Sequence, residues 1–335
     1  MNNDVTITTV PVQTPVQVKR ITSDVLRIYS GNDWLKAARW QATPQELWMK
    51  TWYEGEVCCL FADSNVGKSI YAVQIALDIA RKGKHVLYCD FELTEKQFQL
   101  RYTDEEGNLL LMPDSFYRAD LNPEMTLRKD ETLEQAIMRA IEIAAVTCEA
   151  DTIIVDNISY LNMVTESGDA AAELMVSLMQ LKKVYGWSLL ILAHTPKRVI
   201  DAPLTANDLA GSKKLFNFFD CVMGLGKCLN DESLRYMKQL KVRHGAFTYD
   251  ASNVVVYEIE KQGSLLCLAE RGFSTEARML EAASAGKSAG AKLKVKLMRG
   301  EGLSMRQIAK KLDVSVSTVS RICKNLDTEE QESVS

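Results

Sequence analysis

Two periodicities divide the chain. From residue 57 to residue 193, short continuous apolar runs alternate with longer stretches whose apolar residues recur every three or four positions. The runs predict buried strands and the longer stretches predict amphipathic helices. Val57-Cys58-Cys59-Leu60-Phe61 leads into a helix over Lys68–Ala80, and His85 to Phe91 predicts a second strand, followed by a short helix from Thr94 to Tyr102. Leu133, Ile137, Ile141 and Ala144 give helical spacing between Asp130 and Glu149. Thr152-Ile153-Ile154-Val155-Asp156 predicts a buried strand that ends in a carboxylate; a helix over Asp169–Tyr185 and a strand over Trp187–Ala193 complete the series. Strands that are apolar throughout must be covered on both faces, so the expected architecture is α/β with a mainly parallel central sheet.

Beyond His194 the pattern changes. Thr195 to Asn207, with Pro196 and Pro203, predicts a loop. Cys221–Leu225, Leu234–Val242, Asn253–Glu260 and Ser264–Ala269 predict shorter strands, which fit antiparallel additions to the sheet edge. Residues 271–290, rich in Ala, Ser and Gly, predict a linker. Upstream, a helix is expected over Asp33–Trp40, and Trp40, Trp48 and Trp52 are expected to pack on the main sheet or on a neighbouring subunit. The expected organisation is an N-terminal arm over 1–39, a main domain over 40–270, the linker, a small all-α domain over 291–327 and an acidic flexible tail over 328–335.

Charge sharpens this division. The net charge is −4, yet residues 286–325 hold ten Lys or Arg against two acidic residues, so this segment carries +8 and the remainder −12. A basic end on an acidic body suggests a polyanionic partner for that end. The eight cysteines include no C-x-x-C pair; Cys58, Cys59 and Cys89 fall inside predicted strands, as small apolar core residues of a reducing, cytoplasmic compartment would. With three histidines in the chain, a zinc site is not expected. No apolar run approaches the ~20 residues of a bilayer span, and Met1 to Arg20 lacks the order of a signal peptide, so no membrane partner is expected.

The richest chemistry lies between the first strand and its helix. Ala62-Asp63-Ser64-Asn65-Val66-Gly67-Lys68-Ser69 has the strand–loop–helix context of a phosphate-binding loop. Its backbone N–H groups and the following helix N-terminus can wrap a polyphosphate, Lys68 can reach the β- and γ-phosphates, and Ser69 can ligate Mg²⁺. ATP and Mg²⁺ are therefore the expected ligands. Ala62 stands where the motif carries its first glycine, so a positive φ there would be strained. Asp156, at a strand end, can hold Mg²⁺. Glu92 and Asp90 compete for the role of a base that orients and deprotonates water. His194 ends the last parallel strand, either as a phosphate contact or as a polar residue leaving the core. Lys241 and Arg243 alternate on a late strand and so face one side, as surface charges or as a finger reaching a neighbour's nucleotide.

In that order, the motifs resemble those of RecA-fold P-loop ATPases, and among these the RepA-type and DnaB-type hexameric replicative helicases. The likeness covers roughly residues 40–270. It implies that Glu92 rather than Asp90 is the catalytic base, that His194 senses the γ-phosphate, and that Arg243, assisted by Lys241, acts in trans. It also implies a homo-hexamer that threads single-stranded DNA past loops matching Ser159–Asp169 and Thr195–Ala210. Lys197, Arg198, Lys213 and Lys214 would touch that strand. The first of these loops carries Glu166 and Asp169 and no cation.

The basic end resembles the helix-turn-helix of resolvases. Ser304 can cap a helix over Met305–Leu312 with Ile308, Ala309 and Leu312 inward, and Ser315 a second helix with Val316, Val319, Ile322 and Cys323 inward. A helix over Lys292–Met298 would complete a three-helix unit. Ser317, Thr318, Ser320 and Arg321 would face a major groove, with Lys310, Lys311 and Lys324 on phosphates. The functions expected are a ring-forming replicative helicase of a plasmid or mobile element, or an ATP-switched DNA-binding regulator or recombination accessory protein that unwinds nothing.

Overall fold

A computed structural model describes residues 21–22, 26–158, 170–195, 198–199, 201–209, 212–281, 294–295, 298–299, 302–312, 314, 316–317, 319–320 and 322–323. The chain divides into two units, Met1–Pro44 and Gln45–Ser335. In the first, β1 (Ile21–Thr22) and β2 (Arg27–Ile28) form an antiparallel pair. Helix α1 (Gly31–Ala38) starts at Ser30, whose hydroxyl accepts from Asp33 N at 3.1 Å. None of its residues is buried, and Trp40 just beyond it is exposed.

The second unit is built on a nine-stranded sheet. Its members, in chain order with their helices, are β5 (Val57–Ala62), α2 (Lys68–Arg81), β6 (Val86–Asp90), α3 (Glu95–Arg101), β7 (Phe116–Ala119), α4 (Leu133–Thr147), β8 (Thr152–Asp156), α5 (Ala170–Tyr185), β9 (Ser188–His194), α6 (Ser212–Phe218), β10 (Cys221–Lys227), β11 (Leu234–Val242), β12 (Val254–Gln262), β13 (Leu265–Ser274) and α7 (Glu276–Leu280). A separate hairpin, β3 (Glu46–Trp48) and β4 (Trp52–Tyr53), precedes β5. The spatial order is β13-β12-β11-β10-β5-β9-β8-β6-β7. Strands β10 to β7 in that order run parallel, and β11, β12 and β13 join antiparallel.

Both faces are covered, as continuously apolar strands require. Alternate residues of β5 serve opposite cores: Val57, Cys59 and Phe61 pack with α4, α5 and α6, whereas Cys58, Leu60 and Ala62 pack with α2 and the tryptophan hairpin. Trp48 and Trp52 are buried in that second core. Trp48 Nε1 donates to the Tyr71 hydroxyl at 2.9 Å, and this hydroxyl meets that of Tyr257 at 2.9 Å. Helix α2 is thereby tied to the hairpin on one side and to β12 on the other.

Several features depart from the sequence reading, the β3–β4 hairpin and helix α6 among them. Strand β7 was not expected; its residues are all half-buried, so it lacks the apolar run that marks its neighbours. Residues 271–281 are not a linker: β13 continues to Ser274, and α7 follows with Thr275 as its cap. The buried Glu276 fixes α7, accepting from Leu204 N at 2.8 Å, from the Tyr236 hydroxyl at 3.1 Å and from Lys238 Nζ. Residues 282–290, also expected as linker, lie outside the described residues.

Near the C-terminus, α8 (Met305–Lys311) has the expected Ser304 cap, with Gln307 completing a capping box. Val295, Ile308, Ala309, Val319, Ile322 and Cys323 form a separate small core. Val316, expected inward, is 44% exposed, so the inward face of that segment begins at Val319. Among the described residues no helix is long and apolar enough to cross a membrane.

Candidate nucleotide site

Parallel pairing brings four strand ends to one edge of the sheet. Ala62 of β5 pairs with His194 of β9, and Asp90 of β6 pairs with Asp156 of β8. The loop between β5 and α2 therefore opens beside the carboxyl ends of β6, β8 and β9, where ligands of open α/β sheets bind.

Ala62 is the last residue of β5, fully buried and in ladder register. The positive φ feared at Ala62 falls instead on Asn65 (φ 61°) and Gly67 (φ 105°), the two residue types that adopt it most readily. At Gly67 the backbone also needs room: an added Cβ would lie 3.1 Å from Ile259 Cδ1 and 3.3 Å from Leu268 Cδ1. Three further contacts hold the loop. Arg235 Nε donates to Val66 O at 2.9 Å, the Thr195 hydroxyl donates to Asp63, and Gln74 of α2 exchanges two hydrogen bonds with the Leu268 backbone. The first turn of α2 contains no acidic residue of its own.

Lys68 opens α2 and is buried. Its ammonium donates to Ala193 O at 3.2 Å and lies 3.3 Å from His194 Nδ1. An ammonium only donates, so Nδ1 accepts and Nε2 carries the ring proton toward Glu92 Oε1, 3.2 Å away. Burial pulls the Lys68 pKa down, against the opposing pull of Asp156 and Glu92. The contact with His194, with the Lys68 charge and the Asn157 amide, holds the Glu92 carboxyl below its ordinary value despite partial burial.

Geometry separates the two acids at the end of β6. Asp90 is buried and saturated: Oδ1 accepts from Glu92 N at 3.2 Å and Leu93 N at 3.0 Å, and Oδ2 pairs with Arg118 Nε at 3.0 Å. Its contacts shape the turn that carries Glu92. Glu92 itself is exposed and borders the cavity.

Asp156 fits a divalent cation. Its Oδ2 accepts from the Tyr88 hydroxyl at 2.6 Å, while Oδ1 is buried without a hydrogen-bond partner. Burial pushes this carboxyl up, and Ser69, Tyr88 and Lys68 pull it back. An orphaned carboxylate oxygen beside a serine hydroxyl is the donor set that Mg²⁺ takes in a phosphate site, so Ser69 and Asp156 are the residues that would hold it.

A cavity of about 560 Å³ joins these groups, lined by Asp63, Ser64, Asn65, Gly67, Lys68, Ser69, Ile70, Glu92 and His194. It also contains Arg101 of α3 and Ile259 of β12, which sequence reasoning did not find. Asn157, buried behind the cavity wall, was also not found from sequence: its amide donates to Glu92 Oε1 and lies 3.0 Å from His194 Nε2.

Other expected site residues lie elsewhere. Lys241 lies near the end of β11 and Arg243 just beyond it, at the end away from the cavity: Val242 pairs with Cys221, which pairs with Cys58. Lys241 Nζ donates to Phe216 O at 2.9 Å, and Arg243, half-exposed, pairs with Asp220 at 2.6 Å. Neither reaches the cavity of its own subunit. Arg198 is half-buried and folds back to donate to Ala202 O, so its guanidinium is partly engaged within the loop. Lys213 and Lys214 fall in α6, and Ser317 and Ser320 in helical turns, exposed and half-buried respectively. Lys197, Thr318, Arg321 and Lys324, the acidic residues Glu166 and Asp169, and the side chains of Lys213 and Lys214 lie outside the described residues.

Comparison with known proteins agrees with this arrangement. DNA repair protein RadA of Campylobacter jejuni is 26% identical over 228 residues, which are 66% of this chain and 44% of that protein; the chain thus spans less than half the length of that relative. A model of the AAA domain family matches residues 27–199, the stretch that holds the loop, Glu92, Asp156 and His194. With a mostly parallel sheet, a phosphate loop after β5 and carboxylates at neighbouring strand ends, the fold is that of a RecA-like P-loop protein, and the chain belongs to the AAA domain family.

Proposed function

We propose that this protein is a DNA-acting, RecA-like ATPase, and within that class a ring-forming replicative helicase of a plasmid or mobile element. The convergence of Lys68, Ser69, Glu92 and His194 on one cavity, with Asp156 beside Ser69, carries the reading. The Asn65–Gly67 backbone and the α2 N-terminus cradle the phosphates, Lys68 meets the β- and γ-oxygens, and Ser69 and Asp156 hold Mg²⁺. Bound there, Mg²⁺ supplies charge neutralisation on the phosphate oxygens. Glu92 takes the proton from water as its oxygen bonds to the γ-phosphorus and the bond to the bridging oxygen breaks toward ADP. His194 touches both Lys68 and Glu92, so it can register a change at the γ-phosphate.

Arg243 lies too far from its own cavity to serve it, which supports a finger role across a subunit boundary, with Lys241 beside it, in a homo-hexamer. DNA as partner is supported by the likeness to RadA, a DNA repair protein, by the +8 charge of residues 286–325 and by the capped, cored C-terminal helices. In this reading the loops around 159–169 and 195–210 meet single strands, through Lys197, Arg198, Lys213 and Lys214. The 291–327 segment is a helix-turn-helix that meets duplex through Ser317, Thr318, Ser320 and Arg321. The likeness to a repair protein favours a second reading, an ATP-driven recombination or repair accessory factor without unwinding. A forked-DNA unwinding assay with ATP, run with a mass measurement of the nucleotide-bound assembly, decides. Strand separation by a hexamer supports the helicase; DNA-stimulated hydrolysis without separation supports the accessory factor. Absence of ATP hydrolysis refutes both.

A further inference from the structure

Asn157 belongs to none of the motifs used above, yet its amide donates directly to the Glu92 carboxylate. It follows Asp156 directly at the end of β8, and its side chain is buried, 1% exposed. Its Nδ2 donates to Glu92 Oε1, and the His194 Nε2 proton points to the same oxygen from 3.2 Å. The 3.0 Å separation of Asn157 Nδ2 and His194 Nε2 follows from that shared target, because two donors converging on one oxygen come close to each other. Among the described residues, both hydrogen bonds to the Glu92 carboxylate fall on Oε1, which leaves Oε2 to accept a proton.

The two donors differ in how firmly they are held. Glu92 rides on a turn beyond β6 and has three rotatable side-chain bonds. Asn157 has a short, buried side chain just past the carboxyl end of the interior strand β8, and His194 is shared with Lys68. A long carboxylate held by one rigid amide keeps its free oxygen in place without loss of orientation at each turnover.

We infer that Asn157 is a positioning residue for hydrolysis: pinning Glu92 Oε1 with His194, it presents Oε2 to the attacking water. This rests on the reading of Glu92 as base, and the test separates the two. Steady-state ATP hydrolysis is measured for the full chain carrying Asn157→Ala, Asn157→Leu (similar in size, no donor) and Asn157→Thr (a hydroxyl donor). The Ala and Leu variants lower kcat by roughly ten- to a hundredfold, the range for loss of one hydrogen bond to a charged group, with KM for ATP within about twofold of wild type, a change too small to reflect lost ground-state binding. The Thr variant recovers part of the loss. In a Glu92→Gln background, Asn157→Leu causes no further fall in single-turnover hydrolysis. Wild-type turnover in Glu92→Gln alone refutes the base reading. Turnover abolished in Glu92→Gln but unchanged in both Asn157→Ala and Asn157→Leu, or lost equally on top of Glu92→Gln, refutes the role of Asn157. So does a loss confined to KM.

Discussion

Gly67→Ala isolates the strain of the phosphate loop. The residue sits at φ 105°, ψ 17°, where a Cβ crowds the following carbonyl. That backbone conformation costs a residue other than glycine about 1–2 kcal/mol. The new methyl also meets Ile259 Cδ1 at 3.1 Å and Leu268 Cδ1 at 3.3 Å. Both are tips of flexible side chains, which yield by rotating, for about 0.5 kcal/mol or more each if driven off-rotamer. The expected destabilisation is roughly 2–3 kcal/mol, read by urea or guanidinium unfolding without nucleotide. Adding Ile259→Val removes the nearer methyl and returns the steric part while leaving the backbone part in place. ATP affinity, measured by calorimetry, falls at least about tenfold (1.4 kcal/mol), because strain is relieved by moving the N–H groups that face the phosphates. If Gly67→Ala unfolds within about 0.5 kcal/mol of wild type, an effect no larger than that of an ordinary surface substitution, the left-handed geometry is not the one the protein uses.

Three further outcomes are expected. Glu276→Ala leaves Lys238 buried without its partner and frees the Leu204 amide; it costs about 3–5 kcal/mol in denaturant unfolding and speeds hydrogen exchange at Leu204, and unchanged exchange there contradicts the anchoring role. The bidentate Arg139 contact holds the Glu131 carboxyl down at about 2. Because that value is depressed, its stabilising contribution is complete above the unfolded value near 4.5 and is lost as pH falls toward 2. A carbon-13 carboxyl titration should show the low value rising in Arg139→Ala; no rise refutes the pairing. Arg243→Ala, mixed with subunits bearing Lys68→Ala, should regain part of its hydrolysis if the finger acts between subunits, and no recovery at any mixing ratio counts against that arrangement.

The sheet was legible because buried parallel strands must be apolar on both faces, and Val57–Phe61, Thr152–Val155 and Trp187–Ala193 satisfy that without help from distant residues. The phosphate loop was legible for a similar reason: its residue types answer to local backbone demands, although which residue takes positive φ was not, since Ala62 belongs to the strand and Asn65 to the turn. What escaped depends on contacts distant in sequence. Arg101 and Ile259 enter the cavity, and Asn157 reaches Glu92 behind it, through pairing of strands and helices far apart in the chain. Strand β7 carries Arg118 because its partner is Asp90. The Ala- and Ser-rich composition after residue 271 suggested a spacer, but the partner that orders Glu276 lies on β11. The distance of Lys241 and Arg243 from the cavity could not be read from their alternation, because it depends on the antiparallel register.

The back wall of the phosphate loop comes from strands well downstream of it. Ile259 and Leu268 close on Gly67, Arg235 braces the Val66 carbonyl, and Gln74 clips α2 to Leu268. The family match nevertheless ends at residue 199. A fragment trimmed to those borders would keep Ala62–Ser69, Glu92, Asp156 and His194 and lose the scaffold that shapes them, so the smallest portable nucleotide-binding module of this chain extends at least to Leu268.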